Sequence, residues 1–558
     1  MREAIVVSVP VSAPDVLFVG GAVFDGSASR PTHSAVAVTG AQVTAVGGAE
    51  LRDLAGSHTR IVELDGALVM PGFIDSHIHP IEGGLDQMRC DLSGVSNAAE
   101  YLAAIAEYAA ANPDVPWILG GGWQAAAFPG GTPLATELDR VVSDRPVSLA
   151  NRDHHGTWVN SRALEMAGLR ADTPDPVDGR IERDAHGAPS GTLHEGAREL
   201  VARLIPRDTD DENYRALIGA QDYLLSFGVT GWQDAIVGNY GGHTDTAGTY
   251  LRAAESGVLK ARVVAALWWD RTRGLEQLPE LIERRSQANH PKFRATTVKI
   301  MQDGIPENRT AAMIDPYLEN GCRCGVAERG ISFIEPTALR DYTTALDAAG
   351  FQVHLHAIGD RAVREGLDAF SAARERNGPS DNRHHIAHIQ IVHPDDIERF
   401  AALNVTVNMQ ALWATYDPQM VELNVPILGA ERVNWQYPFA DLWGSGAGFC
   451  AGSDWPVTTP DPWAALHVAV NRTLAKSSAD YNPVPLNARQ AISLEQGLAA
   501  YTSGSARINR FEPAGRLTPG SAADIVVTDR NPFAFAPDEI AATRTMATWI
   551  AGEEVYVR

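Results

Sequence analysis

The stretch "LRDYTTALDAAGFQVHLHAIGD", Leu339 to Asp360, joins a helical pattern to an extended one. The first part has the spacing of a helix and stops at Gly350. The second part, from Phe351, alternates like a strand and ends in a Gly-Asp turn. The same plan recurs in "NYRALIGAQDYLLSFGVTGWQD", Asn213 to Asp234, and in "PDDIERFAALNVTVNMQ", Pro394 to Gln410. Helix, short loop and strand in repetition specify a parallel α/β sheet or barrel.

The two chain ends read differently. "DVLFVGGAVFDG", "AVAVTGAQVTAVGG" and "TRIVELDGALVMPG" are short strands separated by Gly and Asp turns, and "ADIVVTDRNPF" and "ATWIAGEEVYVR" return to that texture. Residues 1–70 and 505–558 are therefore expected to form one composite β-domain, with 71–504 as the α/β region. "AAEYLAAIAEYAAANP" is a helix stopped by Pro113. About 84–209 is rich in Gly, Pro and Asp and fits the repeat poorly, so it is read as an insertion near the barrel mouth.

Composition narrows the partners. The chain has 558 residues, 45% hydrophobic and 21% charged, with a formal net charge of −23. Nucleic acid and anionic membranes favour basic surfaces and are expected not to be partners. No apolar run approaches membrane-spanning length. The start "MREAIVVSVPVSAPD" is broken by Pro10 and lacks a convincing signal-peptide pattern, so a cytoplasmic location is expected. The four cysteines are too few for a disulfide scaffold; Cys322 and Cys324 flank Arg323 in a Gly-rich loop, where a metal role is the lesser reading.

Chemistry-bearing residues gather at the ends of the expected strands. "GFIDSHIHP" ends in His77 and His79; in an extended chain alternate residues share a side, so both imidazoles can reach one metal. "FQVHLHAIGD" offers His354 and His356 in the same way. "RHHIAHIQIVHP" carries His384, His385, His388 and His393, and "GFCAGSDWP" ends a strand at Asp454. Singly, each is more often a structural group. Together they occupy the face on which barrel enzymes build active sites, and they specify a metal site. Lys299, in "TTVKIMQDG", has two readings: an ion pair with Asp303, or a neutral amine that adds carbon dioxide to become a carbamate bridging two metals.

The ordered set His77, His79, Lys299, His356, His388 and Asp454 resembles the amidohydrolase superfamily of metal-dependent hydrolases. The branch containing N-substituted formamide deformylases is the more similar one. The segments carrying the resemblance are "VMPGFIDSHIHP", "RPVSLANRDHHGTWVNSRAL", "VKIMQDGIPENRTAAMIDPY", "HLHAIGDRAV", "RHHIAHIQIV", "GSDWPV" and "GRLTPGSAADIVVTDRNP". The resemblance implies a distorted (β/α)8 TIM barrel flanked by a β-sandwich from both ends, and one or two divalent ions, most often Zn2+. It implies that His77, His79 and Asp454 hold one ion and His356 and His388 a second, bridged by carboxylated Lys299. His354 matches no ligand position and is read as supporting or packed.

The implied reaction is cleavage of a non-peptide C–N bond, in an N-substituted amide or formamide, by a metal-activated hydroxide with Asp454 as general base and then acid. His155, in "DHHGTWVNSRAL", falls where the branch carries a histidine and is a candidate for binding substrate or stabilising the oxyanion. Trp123, Trp413 and Trp455 are candidates to line a substrate pocket, with Trp158, Gln410 and Asp417 as weaker ones. Hydrolysis of an ester, lactone or cyclic imide, or deamination, would use the same site. A binding or regulatory protein on a hydrolase scaffold is the reading from another class. A homodimer is compatible with such a barrel, although the sequence carries no interface signal.

Overall fold

The computed structural model describes residues 6–7, 13–318 and 328–558. Cys322 and Cys324 lie outside the described residues. Eight parallel strands form the central sheet: β1 (Phe73–Ile78), β2 (Val229–Val237), β3 (Arg262–Trp268), β4 (Phe293–Met301), β5 (Gln352–Ala357), β6 (His385–His388), β7 (Thr406–Met409) and β8 (Phe449–Ala451). Each is hydrogen-bonded to the next in chain order. The ring closes just beyond β8, where the Asp454 backbone N–H donates to the His77 carbonyl at 2.7 Å and His79 N–H donates to the Trp455 carbonyl at 2.9 Å. The α/β barrel expected from the sequence is the observed architecture.

Alternation along the strands sorts the side chains. Val298 and Ile300 on β4, Val353 and Leu355 on β5, and Ile386 on β6 join the large core between strands and helices. The intervening Lys299, His354, His356 and His385 are also buried and face inward, as a period of two requires. Cross-strand register sets Lys299 opposite His354, Met301 opposite His356, and His354 opposite His385.

Helices follow the local signals. Helix α1 (Pro80–Met88) starts on a proline directly after His79. Helix α2 (Asp210–Ser226) is opened by Thr209, whose hydroxyl accepts from Glu212 N–H while the Glu212 carboxylate accepts from Thr209 N–H. Gly228, at φ 86°, turns the chain into β2. Helix α3 (Pro336–Ala348) is capped by the Glu335 carboxylate, which accepts from Thr337 and Ala338 N–H.

The chain ends meet in a second sheet. Leu68–Pro71 pairs antiparallel with Ile525–Thr528, and the strands Thr545–Ile550 and Glu553–Val557 extend that edge. On the other side Val16–Val23 changes partner midway: Val16 to Val19 pair with Arg60–Glu63, and Ala22 and Val23 pair with Leu68 and Val69. Alternate residues of Val16–Val23 enter two separate apolar clusters, so both faces of that strand are covered.

The insertion has a sheet of its own. Its six strands run in the order Gly179–Arg183, Pro189–Glu195, Gly156–Val159, Val147–Asn151, Ile118–Trp123 and Cys90–Asp91. Tyr101, Ile105, Trp123, Phe128, Leu149 and Trp158 fill its core. The turn between Asn151 and Gly156 carries Asp153, His154 and His155 to the barrel cleft.

Candidate metal centre and active site

The ends of β1, β4, β5, β6 and β8 converge on one cleft of about 490 Å³ bordered by His77, His79, Lys299, His356, His388 and Asp454. The Asp454 carboxylate is the hub. Its Oδ1 lies 3.2 Å from both His77 Nε2 and His79 Nε2, and its Oδ2 lies 4.0 Å from His388 Nδ1. Ligand atoms of His77, His388 and Asp454 all fall within 4.8 Å of one another, a spacing suited to a shared ion. His356 Nε2 and His388 Nδ1 are buried without a hydrogen-bond partner. Buried polar atoms are ordinarily paired, so these ring nitrogens, beside a carboxylate, fit a divalent metal.

The local backbone is held in unusual conformations. His388 (φ 75°) and Asp454 (φ 59°) both adopt the left-handed region, where non-glycine residues are uncommon. Asp75 supports the junction: its carboxylate accepts from His77 N–H at 3.1 Å and from Ser453 N–H at 3.0 Å. Burial pushes the Asp75 carboxyl up to about 7. Gly452 passes so close to β1 that a Cβ there would lie 2.6 Å from His77 N.

Electrostatics favour neutral imidazoles around an ionised carboxylate. Burial, reinforced by neighbouring cationic groups, holds His77 and His356 well below the ordinary histidine range. Burial alone would raise Asp454, but the hydrogen bond from His79 and the proximity of His388 bring it below its usual value. Burial pushes the Lys299 ammonium down to about 7. Asp303, the alternative partner for Lys299, instead accepts backbone N–H groups from Ala312, Ile358 and Gly359.

His155 reaches the cleft from the insertion, its ring 5.5 Å from that of His356. Its Nδ1 lies 3.0 Å from both Glu195 carboxylate oxygens, and Thr310 Oγ1 donates to Glu195 Oε1 at 2.8 Å. Burial opposes charge on His155, yet the Glu195 carboxylate outweighs it and raises the imidazole. With Nδ1 engaged, Nε2 is the nitrogen left to act. A parallel pair stands beside it, His154 Nδ1 to Glu82 Oε1 at 2.8 Å, with His154 raised to about 9 because Glu82 overcomes its burial.

The tryptophans expected to line a pocket occupy different places. Trp123 is a correction: it is packed within the insertion core and donates Nε1–H to the Leu149 carbonyl. Trp158 likewise donates to the Leu134 carbonyl. Trp413 lies flat on the His388 ring, 4.9 Å between centroids at 14°, and supports that histidine. Trp455 packs over Gly83, where a Cβ would sit 2.7 Å from the indole, and borders a neighbouring cleft.

Gln410 accepts from His388 N–H at 2.7 Å and donates to Asn408, so it fixes the backbone of β6. Asp417 accepts from Met420 N–H, His384 binds Asp347, and His393 accepts from Asp395 N–H. His385 accepts from Asn408. Asp75, Glu195, Glu82 and Gln233 were not singled out from sequence; only Asp75, two residues before His77 in the same strand, had a positional signal.

The model of the amidohydrolase family designated Amidohydro_3 matches residues 60–556. The Arabidopsis thaliana Protein LONG AFTER FAR-RED 3 is 31% identical over 97% of this chain and 91% of its own. The N-substituted formamide deformylase of Arthrobacter pascens is 24% identical over 98% of each. An uncharacterized metal-dependent hydrolase from Pyrococcus furiosus superposes with a TM-score of 0.68 at 26% identity, covering 93% of this chain and 99% of that one. With the barrel, the cluster at its strand ends and a family match running from the first sheet to the last strand, this chain belongs to the amidohydrolase family.

Proposed function

We propose that the protein is a zinc-dependent hydrolase of a non-peptide C–N bond, acting on an N-substituted amide or formamide. The observation that carries the metal-dependent part is the convergence of His77, His388 and Asp454, with two buried, unpartnered ring nitrogens beside them. His77, His79 and Asp454 would hold one ion; His356 and His388 would hold a second. Lys299, whose ammonium burial pushes down to about 7, would add carbon dioxide with release of a proton, and the carbamate would offer its oxygens to both positions. The choice of an amide follows the similarity to the formamide deformylase.

When bound, a divalent ion lowers the pKa of water from about 15.7 to about 7 and polarises a carbonyl. Asp454 takes the proton of the attacking water as its oxygen bonds to the carbonyl carbon. The same carboxyl returns the proton to nitrogen as the C–N bond breaks. His155, oriented by Glu195, donates Nε2–H to the oxygen on which negative charge develops.

Elemental analysis of the purified protein and turnover on an amide, ester and imide panel test the reading. Zinc is expected at one or two equivalents, with activity on amides lost in Asp454→Asn. Full hydrolysis by Asp454→Asn, or by metal-stripped protein, would overturn the mechanism.

A further inference from the structure

The barrel interior below the metal cluster contains a continuous polar line where apolar side chains would ordinarily pack. It begins at backbone carbonyls. Gln352 Nε2, on β5, donates to the carbonyls of Arg383 and Ile508, each at 2.8 Å. Those two acceptors fix the orientation of the Gln352 amide, because its oxygen could not face them. Gln352 Oε1 therefore points inward, where it accepts from Thr297 Oγ1 at 2.7 Å and from Gln233 Nε2 at 3.0 Å.

A second anchor fixes Gln233 independently. Asn509 Nδ2 donates to the Ser505 carbonyl at 2.9 Å, so Asn509 Oδ1 is an acceptor, and it takes the other Gln233 amide proton at 2.7 Å. Both protons of Gln233 are thus committed, and its Oε1 can only accept. Oε1 lies 2.6 Å from His354 Nδ1, so His354 carries its proton on Nδ1. A neutral His354 then presents a lone pair at Nε2, which lies 2.8 Å from His77 Nδ1. His77 must donate from Nδ1, and the lone pair of His77 is left on Nε2, the atom 3.2 Å from Asp454.

We propose that the line Gln352–Gln233–His354 is a positioning device that sets the tautomer of His77 before any metal arrives, so that Nε2 is delivered as a ligand. His354, Gln233 and Gln352 touch no reacting atom; they act through His77. The choice of tautomer is made at the opposite end of the barrel by the carbonyls of Ser505, Ile508 and Arg383. A metal-ligating imidazole is commonly oriented by a group on its other nitrogen, but here the orienting acceptor is itself an imidazole whose tautomer is dictated by two amides. The proposal rests on His77 being a metal ligand, as in the function proposed above.

The test is imidazole 15N NMR on metal-free, 15N-histidine-labelled full-length protein, with His77 assigned by comparison with His77→Gln. The expected result is a protonated Nδ1 and an unprotonated Nε2 on His77, with the same tautomer on His354. A proton on His77 Nε2 in the wild type would overturn the proposal, whatever the metal content or activity. Zinc affinity, measured by chelator competition, forms the second arm. His354→Phe removes the acceptor and is expected to weaken zinc about 10–100-fold. His354→Gln, which can accept through its amide oxygen, is expected to recover most of that loss. Wild-type zinc affinity in folded His354→Phe would also overturn it; if that variant does not fold, the wild-type spectrum decides. Retention of the His77 tautomer in a protein that binds no zinc would instead sink the functional reading and leave the relay intact.

Discussion

Asp454 N–H donates to the His77 carbonyl at 2.7 Å, so two candidate metal-binding residues also join the first and last strands of the barrel. Ring closure and site assembly are one event. A disturbance at either segment is felt at both.

Gly452 is a point of close backbone approach in that junction. Gly452→Ala would place a methyl group 2.6 Å from His77 N, and the strand backbone cannot swing away like a flexible side chain. Overpacking of this kind costs about 1–3 kcal/mol. Urea unfolding of the metal-free variant should show that loss, and zinc content after purification should fall with it. Wild-type stability would mean that the β8 end is looser than its contacts indicate.

The flat stack of Trp413 on His388 gives a second expectation. Trp413→Leu removes the face that holds the imidazole, and zinc affinity should fall by about 10-fold, the lower end of the range for a supporting group. Trp413→Phe keeps an aromatic face and should lose much less. Chelator competition separates the two variants.

Lys299 should make metal-free protein more stable at alkaline pH. Its folded value of about 7 lies below the 10.5 of a free lysine. Between those values the unfolded chain binds the extra proton, so unfolding free energy rises with pH, at up to about 1.4 kcal/mol per pH unit. Below pH 7 the ammonium is buried and its cost is fully present. Lys299→Met should abolish this dependence in denaturation curves recorded from pH 7 to 10.5.

Removing the candidate oxyanion donor in His155→Phe should reduce kcat by about 10²–10³-fold. Glu195→Gln should act on pH instead. The carboxylate raises His155, so its loss lowers the imidazole pKa and moves the alkaline fall in kcat/KM to lower pH. An unshifted alkaline limb would exclude a protonated His155 from the rate-limiting step.

Legibility in the sequence followed the physics of each residue. His77 and His79, or His354 and His356, stand out because a strand period of two puts them on one side next to a turn. Lys299 stands out only in their company, as a lysine on a strand between the two H-x-H pairs. Gln233 was invisible, and Asp75 showed only its place beside His77, because a polar residue inside a barrel looks like any strand-end polar group until its partners are known. Those partners, Asn509 and Ser453, lie 276 and 378 positions away. Glu195 was hidden for the same reason: it meets Thr310 across 115 positions. Trp123 misled because a Gly-rich strand inside the insertion resembles a loop at a cleft, whereas Gly120 and Gly122 accommodate the backbones of Cys90 and Ser93.

The composite sheet has a consequence for synthesis of the chain. Leu68 N–H donates to Thr528 Oγ1, a partner 460 positions later. At about 5–20 residues per second on the ribosome, Leu68–Pro71 waits roughly 20–90 s before its neighbouring strand exists. During that interval an apolar strand edge of the nascent protein is open to pairing with other chains. Slower translation should therefore lower the soluble yield, and a chain truncated before Ile525 should aggregate even though every proposed metal ligand has been made.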